Sequence, residues 1–342
     1  MNALTTTILN PLFTLPVLIG LHRHPDLYQS ALTRLPASIA SHPRLAPAAL
    51  KSAAAVALGL GLVRVANAYL SRRALNCGVL KDTWNWEKEI VVVTGGSGGI
   101  GDLLVRKFAA RGITVISLDI VEPKEELPPN AFFYRTDLTS STSLSTTAAL
   151  IRTNHGSPTI LINNAGIATW STILSTTESD IRRTFDVNTI SYFLTIKEFL
   201  PDMVKNNHGH IVTLASIASY VTIAQNVDYS ASKAAVMALH EGLKQELKHR
   251  YNAPRVRTTA IHPIFIATPL VNKISSNNTQ SFYPDLLQPE DVASRVFNQV
   301  MKGESANIVI PEKLQISRLL RALPWWVQEL IRDRQKGVAV DR

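Results

Sequence analysis

Tyr229 and Lys233 lie four residues apart in the stretch YSASK, and only small side chains separate them. If this stretch is helical, residues i and i+4 share one face, so the phenol and the ammonium are neighbours. A nearby ammonium favours the phenolate and lowers the tyrosine pKa below its usual value of about 10. Such a tyrosine could give a proton to a carbonyl oxygen, or take one from a hydroxyl, near neutral pH. The spacing is common, however, and also fits a surface pair without a role.

Three further polar positions precede this pair in the chain. Ser216 closes the apolar run HIVTLAS, and NNAG at Asn163–Gly166 closes another. Sites in open α/β sheets form at the carboxyl ends of strands, so these side chains are expected at one edge. Asn188 falls within a long predicted helix, where asparagine is intrinsically unfavoured, and this indicates a local function.

A glycine cluster, TGGSGGIG at Thr94–Gly101, follows the apolar run EIVVVT and precedes a helical stretch. In that context it predicts a dinucleotide site. Gly95 allows a sharp turn, while Gly99 and Gly101 allow close approach of a pyrophosphate and of the helix to the strand. The helix N-terminus then offers free N–H groups to the phosphates.

Asp119 ends the next predicted strand. A carboxylate there can accept both ribose hydroxyls of NAD and would repel the extra phosphate of NADP. The glycine loop contains no Arg or Lys to compensate, and its Ser97 is uncharged. The sequence therefore predicts a preference for NAD, although an aspartate that merely caps a turn would look the same.

The surrounding pattern places these residues on alternating strands and helices. Apolar runs predict strands, and helical stretches fall between them. The strands are at 89–94, 113–119, 131–137, 159–166, 209–216, 256–263 and 306–311, and the clearest helices are at 99–111, 177–205 and 230–250. Such alternation predicts an α/β fold with a Rossmann-like, doubly wound parallel sheet of about seven strands.

The two ends differ from this middle part. The net charge of +9 comes from residues before 89 and after 311, and both ends are also apolar. A nucleic-acid binder would carry its basic patch on the folded domain, so the pattern better suits an anionic membrane surface. We therefore predict an apolar anchor region at 1–85, a Rossmann-fold domain at 86–311 and an amphipathic tail at 312–342.

Two apolar runs carry the anchor prediction. Leu4–Leu21 is uncharged but contains two prolines, and Ser52–Leu70 is about long enough to cross a hydrocarbon core. The alternative is an amphipathic helix that packs on the enzyme body. The tail, with Trp325 and Trp326 among basic residues, fits either a membrane interface or a lid over a cleft. Cys77 is the single cysteine, which excludes an internal disulfide, and the nine histidines show no metal-site spacing.

Taken together, the motifs resemble those of the short-chain dehydrogenase/reductases over about residues 88–311. They are TGGSGGIG, Asp137 after the third strand, NNAG, Asn188, Ser216 and YSASK, in the family's order. The resemblance implies that Tyr229 is the acid/base and that Lys233 lowers its pKa and binds ribose. It also implies that Ser216 orients the substrate and that Asn188 holds a water in a proton relay.

The same resemblance implies a set of cofactor contacts. Asp137 and Leu138 would flank the adenine, and Asn164 to Gly166 would line the floor of the cofactor site. The full set is Gly95, Ser97, Gly99, Ile100, Gly101, Asp119, Asp137, Leu138, Asn164, Ala165, Gly166, Tyr229, Lys233, Pro263, Ile266 and Thr268. One position departs from the family, because Ile264 follows Pro263 where the family usually has glycine. Its side chain restricts the backbone and is expected to narrow the substrate pocket, which the segment 268–290 also shapes.

The apolar ends resemble the membrane-bound retinol and hydroxysteroid dehydrogenase branch. This implies hydride transfer between NAD and the alcohol or carbonyl of a sterol, retinoid or fatty alcohol. It also implies a membrane-associated protein, at the endoplasmic reticulum or a lipid droplet, whose catalytic domain faces the cytosol and which can form a homodimer. Two alternatives stay open. An NADP-linked lipid ketone reductase is disfavoured by Asp119, and a non-catalytic NAD-binding scaffold on membranes is disfavoured by the intact Asn188, Ser216, Tyr229 and Lys233.

Overall fold

The computed structural model describes residues 7–32, 34, 47–79, 83–268, 270 and 286–334. The chain divides into two compact units, Met1–Ala74 and Leu75–Arg342. The first unit contains the helices α1 (Pro11–Arg23), α2 (Pro25–Leu32) and nearly all of α3 (Pro47–Leu75). Each begins with proline, whose missing N–H costs nothing in the first helical turn.

Helix α3 contains the second predicted apolar run. Its segment Ala48–Leu75 is the one stretch of the described residues that is long and apolar enough to cross a membrane, and 11% of its most apolar window is buried. A helix of 29 residues spans roughly 43 Å, longer than a hydrocarbon core of about 30 Å. Side chains such as Val56 and Val63 are exposed. Helix α3 is therefore a candidate membrane anchor. The described part of the first run lies mostly in α1, which contains Pro16.

The second unit is built on a seven-stranded sheet, as predicted. Its strands are β1 (Ile90–Thr94), β2 (Thr114–Asp119), β3 (Ala131–Arg135), β4 (Ile160–Asn163), β5 (Gly209–Leu214), β6 (Val256–Pro263) and β7 (Ala306–Ile310). Every neighbouring pair is parallel, in the order β3-β2-β1-β4-β5-β6-β7. The order reverses at β1, which opens a crevice beyond the carboxyl ends of β1 and β4.

Helices cover both faces of this sheet. They are α4 (Gly99–Ala109), α5 (Ser141–His155), α6 (Glu178–Phe185), α7 (Ser191–Asn206), α8 (Val227–His249) and α9 (Pro289–Met301). Along β1, Val91 and Val93 join the core under α4 and α9, whereas Ile90 and Val92 join the core under α5, α7 and α8. This two-sided burial explains why the strands are continuous apolar runs.

Some of the described segments near the site differ from regular α-helix or β-strand. The long helix predicted at 177–205 is interrupted by a five-residue π turn, Asp186–Ile190, between α6 and α7. Beyond β7, Glu312–Ala322 forms 3₁₀ turns and α10 covers Trp325–Asp333. Most of the predicted pocket segment 268–290 lies outside the described residues, and α9 begins at its end.

Candidate active site

The glycine cluster forms the turn between β1 and α4. Gly95 and Gly99 have φ values of +64° and +53°, a region that L-residues with side chains rarely adopt. A Cβ atom at Gly101 would overlap the carbonyl oxygen of Gly95 and lie 2.8 Å from Asn164 Nδ2. The first turn of α4 therefore packs directly on the preceding loop, which leaves no room for a side chain.

Asn164, at the end of β4, fixes this turn. Its main-chain N–H donates to Thr94 Oγ1 at 2.9 Å, and its Nδ2 donates to the carbonyl oxygens of Thr94 at 2.9 Å and Gly95 at 3.2 Å. A Cβ at Gly95 would lie 3.0 Å from the Cα of Ala165. The side chain of Asn164 is thus committed to joining β4 to the turn, a role that the sequence does not reveal.

Asp119 stands beside the same turn. One of its carboxylate oxygens accepts the N–H of Ser97 at 3.1 Å, and the other accepts that of Val121 at 3.2 Å. The Ser97 hydroxyl is buried without a hydrogen-bond partner among the described residues. Gly98, before the first turn of α4, provides no side-chain cap. Free N–H groups, an unpaired hydroxyl and a glycine cradle together fit the phosphates and ribose of a dinucleotide.

The remaining predicted cofactor residues are spread around this cradle. Asp137 accepts both the N–H and the hydroxyl of Thr139 in the turn before α5. Leu138 is buried in the core under α5, whereas Ile100 is partly buried in the core on the other face. The Thr268 methyl group lies 3.8 Å from where a Cβ of Gly99 would stand.

Lys233 is buried on α8, one turn after Tyr229. Its Nζ donates to the carbonyl oxygen of Leu214 at 2.8 Å. The same atom lies 5.4 Å from the ring centre of Tyr192 and 5.8 Å from that of Tyr229. Burial lowers the pKa of Lys233 to about 7.

The titration of Tyr229 differs from the sequence-based prediction. Burial raises the pKa of its phenol, and a hydrogen bond with Ser216 opposes that shift. The predicted lowering of the Tyr229 pKa by Lys233 is not found, because burial disfavours both the phenolate and the ammonium that would stabilise it. Tyr229 is therefore a protonated phenol at neutral pH in this structure.

Asn188 lies in the π turn and is fully buried. Its Oδ1 accepts the N–H of Ile167 at 2.8 Å, and its Nδ2 donates to the Ile167 carbonyl and to Ser232 Oγ. A Cβ at Gly166 would lie 3.4 Å from Asn188 Oδ1 and 3.5 Å from Lys233 Nζ. The amide thus fixes the loop after β4 against α8, and one of the small residues of YSASK provides the contact.

Ser216 begins a short 3₁₀ turn, Ile217–Ser219, after β5. Its Oγ accepts the N–H of Ala218 at 3.1 Å. Behind it, His262 Nδ1 donates to the Ser216 carbonyl at 3.2 Å, and His262 Nε2 accepts from the Tyr220 hydroxyl at 3.3 Å. Burial lowers the pKa of His262 to about 4, so this imidazole is neutral at physiological pH.

Ser216 and Tyr229 share one cavity of about 690 Å³, its open mouth included. Three predicted cofactor residues, Pro263, Ile266 and Thr268, also line it. The remaining lining residues are Trp170, Ile217, Ala218, Val221, Ile223, Asn226, Ile264, Phe265 and Leu270. Ile264 is 7% exposed and is one of the residues that line this cavity, and the narrowing of the pocket by its side chain stays a prediction.

The C-terminal segment contacts the Ser216 turn. Arg321 donates to the carbonyl oxygen of Ser219 at 3.0 Å, and Leu320 packs in the small core that contains Tyr220 and Val221. On the other side of the segment, Trp325 and Trp326 are 74% and 72% exposed. The tail therefore packs beside the cavity with one face and presents aromatic side chains to solvent with another.

Sequence reasoning missed several residues that build the site. Tyr192 is fully buried and donates to the Ala165 carbonyl at 2.9 Å beside Lys233. Asp228 accepts the hydroxyls of Thr169 and Thr184, which anchors the start of α8. Asp228 is adjacent to Tyr229 in the chain, and this adjacency was the one local signal that could have drawn attention to it.

Comparison with known proteins identifies the family. The family model for short chain dehydrogenase matches residues 89–279. Dehydrogenase RED2 of Cochliobolus heterostrophus is 44% identical over 208 residues, which cover 60% of this chain and 77% of that protein. Short-chain dehydrogenase/reductase family 16C member 6 of Bos taurus is 34% identical, with coverages of 69% and 76%. Estradiol 17-beta-dehydrogenase 11 of Homo sapiens is 33% identical, with coverages of 69% and 79%.

Solved structures agree with the sequence matches. Ligand-free aldohexose dehydrogenase of Thermoplasma acidophilum superposes with a TM-score of 0.59 at 26% identity, covering 67% of this chain and 94% of that one. 4-Hydroxyisoleucine dehydrogenase complexed with NADH gives a TM-score of 0.56 at 26% identity, covering 65% and 96%. The family model, the relatives and the sheet order agree with the motif resemblance, and the chain belongs to the short-chain dehydrogenase/reductase family.

Proposed function

We propose that this dehydrogenase uses NAD to interconvert an alcohol and its carbonyl on a lipophilic substrate. The observation that carries the proposal is the cavity that Ser216 and Tyr229 share with mostly apolar residues. Two hydroxyls at the wall of an apolar cavity can orient one oxygen of a substrate whose remaining surface is hydrocarbon. A nicotinamide cofactor, when bound, supplies or accepts the hydride.

The residues of this chain then handle the proton. Because burial raises the pKa of Tyr229, its phenol keeps its proton at neutral pH, so the form that can donate to a carbonyl oxygen in a reduction is the one present. In oxidation the phenol must lose its proton first; a hydrogen bond with Ser216 favours that step, and Lys233 would favour it in its charged form. Asn188 acts by fixing the loop at Ile167, and its predicted part in a water relay stays a prediction.

Asp119 supports the choice of NAD. Each of its oxygens accepts one main-chain N–H and keeps a further lone pair for a ribose hydroxyl. Its negative charge opposes a ribose phosphate. Arg135, its register neighbour on β3, is engaged with Glu122 and the Ile120 carbonyl. We therefore expect a higher kcat/KM with NAD than with NADP, and Asp119→Ala should reduce that difference.

Membrane association is part of this proposal, and the exposed apolar surfaces support it. Helix α3 would anchor the protein, and Trp325 and Trp326 would lie at the interface, at the endoplasmic reticulum or on a lipid droplet. A homodimer through the long helices is part of this proposal, since Ile190 and Phe193 are exposed there. Carbonate extraction of the full-length protein tests the anchor, and release into the supernatant would contradict it.

The central experiment is a cofactor-linked screen of sterols, retinoids and fatty alcohols with the full-length enzyme, with NAD and NADP side by side. Tyr229→Phe should reduce turnover by about 10²- to 10⁴-fold because the proton donor is lost, while NADH binding is retained. Tyr251→Phe is the matched control, since its hydroxyl contacts Glu246 at the far end of α8.

Three outcomes would count against the proposal. Retained turnover in Tyr229→Phe would refute the mechanism. Equal or better turnover with NADP would favour the lipid ketone reductase. NADH binding without turnover of any alcohol would favour the non-catalytic scaffold.

A further inference from the structure

The turn that carries Ser216 is held from outside by a histidine. His262, on β6, is fully buried, and both of its ring nitrogens make hydrogen bonds. Nδ1 contacts the Ser216 carbonyl at 3.2 Å, at the start of the turn Ile217–Ser219. Nε2 contacts the Tyr220 hydroxyl at 3.3 Å, just past the end of that turn. One imidazole therefore joins the two ends of the turn.

These two contacts require the neutral ring in one form. A main-chain carbonyl can only accept, so Nδ1 carries the hydrogen and Nε2 accepts from Tyr220. Burial lowers the pKa of His262 to about 4, so the neutral ring prevails at physiological pH. A leucine would fill a similar space without pairing either group. Packing alone therefore does not require a polar ring at this position, whereas the turn does.

The main chain of β6 cannot hold the turn in place of this side chain. The pairing of β5 with β6 ends at Leu214 and Ile261, two residues before Ser216. Pro263 follows His262 and has no N–H to donate, so the ladder cannot continue through it. Ser216 thus stands just beyond the hydrogen-bonded sheet. A side chain of β6 supplies the donor that its main chain lacks there.

Two further hydrogen bonds fix the far end of the turn. Ser219 Oγ donates to the Lys233 carbonyl at 2.9 Å, and Arg321 donates to the Ser219 carbonyl at 3.0 Å. The end that carries Ser216 is fixed by His262. A small displacement at this end moves the Ser216 hydroxyl relative to the reacting oxygen, and a misplacement near 1 Å can slow a reaction about 10²-fold.

We infer that His262 is a positioning residue for the reaction, because it holds the turn that presents the Ser216 hydroxyl to the substrate. The inference rests on the proposed function, in which Ser216 and Tyr229 meet the reacting oxygen. His262 is not among the described residues that line the cavity, so it acts through Ser216. Its loss should slow the chemical step more than it weakens substrate binding.

The first test does not depend on turnover. His262→Leu removes both hydrogen bonds, so amide hydrogen exchange in the peptide 216–221 should become roughly tenfold faster. His262→Asn keeps a donor nitrogen bonded to Cγ, as Nδ1 is, and should restore most of the protection. His210→Leu is the matched control, since His210 is equally buried on β5 and bonds Thr259 Oγ1 at 2.9 Å. Its exchange at 216–221 should equal that of the native enzyme.

The second test measures the alcohol that turns over fastest in the cofactor-linked screen, well below the melting temperature of each variant. His262→Leu should lower kcat by roughly 10- to 100-fold and change KM and the affinity for NADH by less than about threefold. His262→Asn should recover kcat to within about fivefold of the native value. His210→Leu should lower the melting temperature but leave kcat unchanged, because His210 stands at the amino-terminal end of β5, opposite to Ser216.

A double variant shows whether His262 acts through Ser216. Ser216→Ala alone should lower kcat by about 10²- to 10³-fold, as expected when one donor to the reacting oxygen is removed. In that background, His262→Leu should cost less than about threefold more, because the hydroxyl that it positions is already absent. Full additivity of the two losses would overturn the inference.

The outcomes separate this inference from the function on which it rests. If His262→Leu leaves either the exchange at 216–221 or kcat unchanged, the positioning role is overturned and the proposed function stays intact. Equal kcat values of His262→Leu and His262→Asn would do the same, since the bond to Ser216 would then have no effect. Failure of the native enzyme to turn over any alcohol with either cofactor would overturn the proposed function and, with it, the part assigned to His262 in the reaction.

Discussion

Asn164 and Asn226 line opposite halves of the site and differ in what their amides do. Asn164 donates to the carbonyls of Thr94 and Gly95, so it joins two strands at the glycine turn. Asn226 is one of the residues that line the apolar cavity, and its buried amide oxygen has no hydrogen-bond partner among the described residues. We call residues 94–101, 119 and 163–166 the cofactor half, and residues 216–229 and 263–268 the substrate half.

The two halves therefore respond differently to change. In the cofactor half, hydrogen bonds and close main-chain contacts fix one geometry, so a single added methyl group is disruptive. In the substrate half, apolar side chains set the volume of the cavity. Few hydrogen bonds there restrict which residue can occupy a given position. The fixed geometry of the cofactor half suits chemistry that all members of a family share. The apolar cavity of the substrate half suits the choice of substrate.

The sharpest test of this comparison is Gly101→Val. Its side chain would overlap the Gly95 carbonyl, so we expect NADH binding to be lost and the free energy of unfolding to fall by about 1–3 kcal/mol or more. Fluorescence titration with NADH and thermal unfolding measure the two effects. Gly242→Ala, in α8 and outside the cofactor half, is the control, because nothing lies within 4 Å of its added Cβ. Equal losses in both variants would show that crowding is not the cause.

Lys233 joins the two halves, since it lies beside both Gly166 and Tyr229. Lys233→Met should reduce turnover at least 100-fold, because the charged form of Lys233 is the partner proposed for the Tyr229 phenolate. Lys248→Met, on the exposed part of the same helix, controls for the loss of a lysine. Equal activity of the two variants would mean that Lys233 has no part in the chemistry.

For Lys233→Met we also predict how its stability relative to the native enzyme changes with pH. The pKa of Lys233 is about 7 in the folded protein against 10.5 for the ordinary side chain, so the unfolded chain binds the extra proton between these values. Burial of Lys233 therefore does not reduce the free energy of unfolding above pH 10.5, where the side chain is neutral in both states. The reduction grows as the pH falls from 10.5 to 7, because only the unfolded chain takes up the proton easily. The melting temperature of Lys233→Met minus that of the native enzyme should therefore be largest at pH 7 and below and shrink toward pH 10.5. A difference that does not change with pH would contradict the lowered pKa.

The contrast between the halves also explains what the sequence could predict. Strands, the glycine turn and the spacing of Tyr229 and Lys233 are local patterns, and they predicted the parallel sheet and the cradle at β1. The contacts of Asn188 with Ile167 and of His262 with Ser216 join residues far apart in the chain, and no local pattern reports them. The direction of the Tyr229 pKa shift was missed for the same reason, because burial depends on tertiary packing.

A smaller effect is expected from Ile264→Ala in the substrate half. Removing this buried side chain enlarges the cavity, so kcat/KM for a bulky secondary alcohol relative to dodecan-1-ol should rise roughly threefold to tenfold. The free energy of unfolding should fall by about 2–5 kcal/mol. Ile308→Ala is matched in exposure, 7%, but lies in the core under α4 and α9, so it should lose stability without changing the substrate ratio. If both variants change the substrate ratio equally, the cause is loosened packing and not the shape of the cavity.

The smallest effect concerns the surface next to the substrate half. Trp325 and Trp326 are exposed on α10, and the neighbouring Leu320 and Arg321 hold this segment to the Ser216 turn. Replacing both tryptophans by serine should reduce turnover of retinol dispersed in anionic vesicles by roughly threefold, because aromatic side chains favour the membrane interface. Turnover of a short soluble alcohol and the melting temperature should stay unchanged, since neither side chain packs in the core. Tyr251→Ser removes an exposed aromatic from the amino-terminal edge of the sheet and should leave the vesicle assay unaffected. If the double variant slows both substrates equally, the segment acts on the site through the Ser216 turn and not through a membrane.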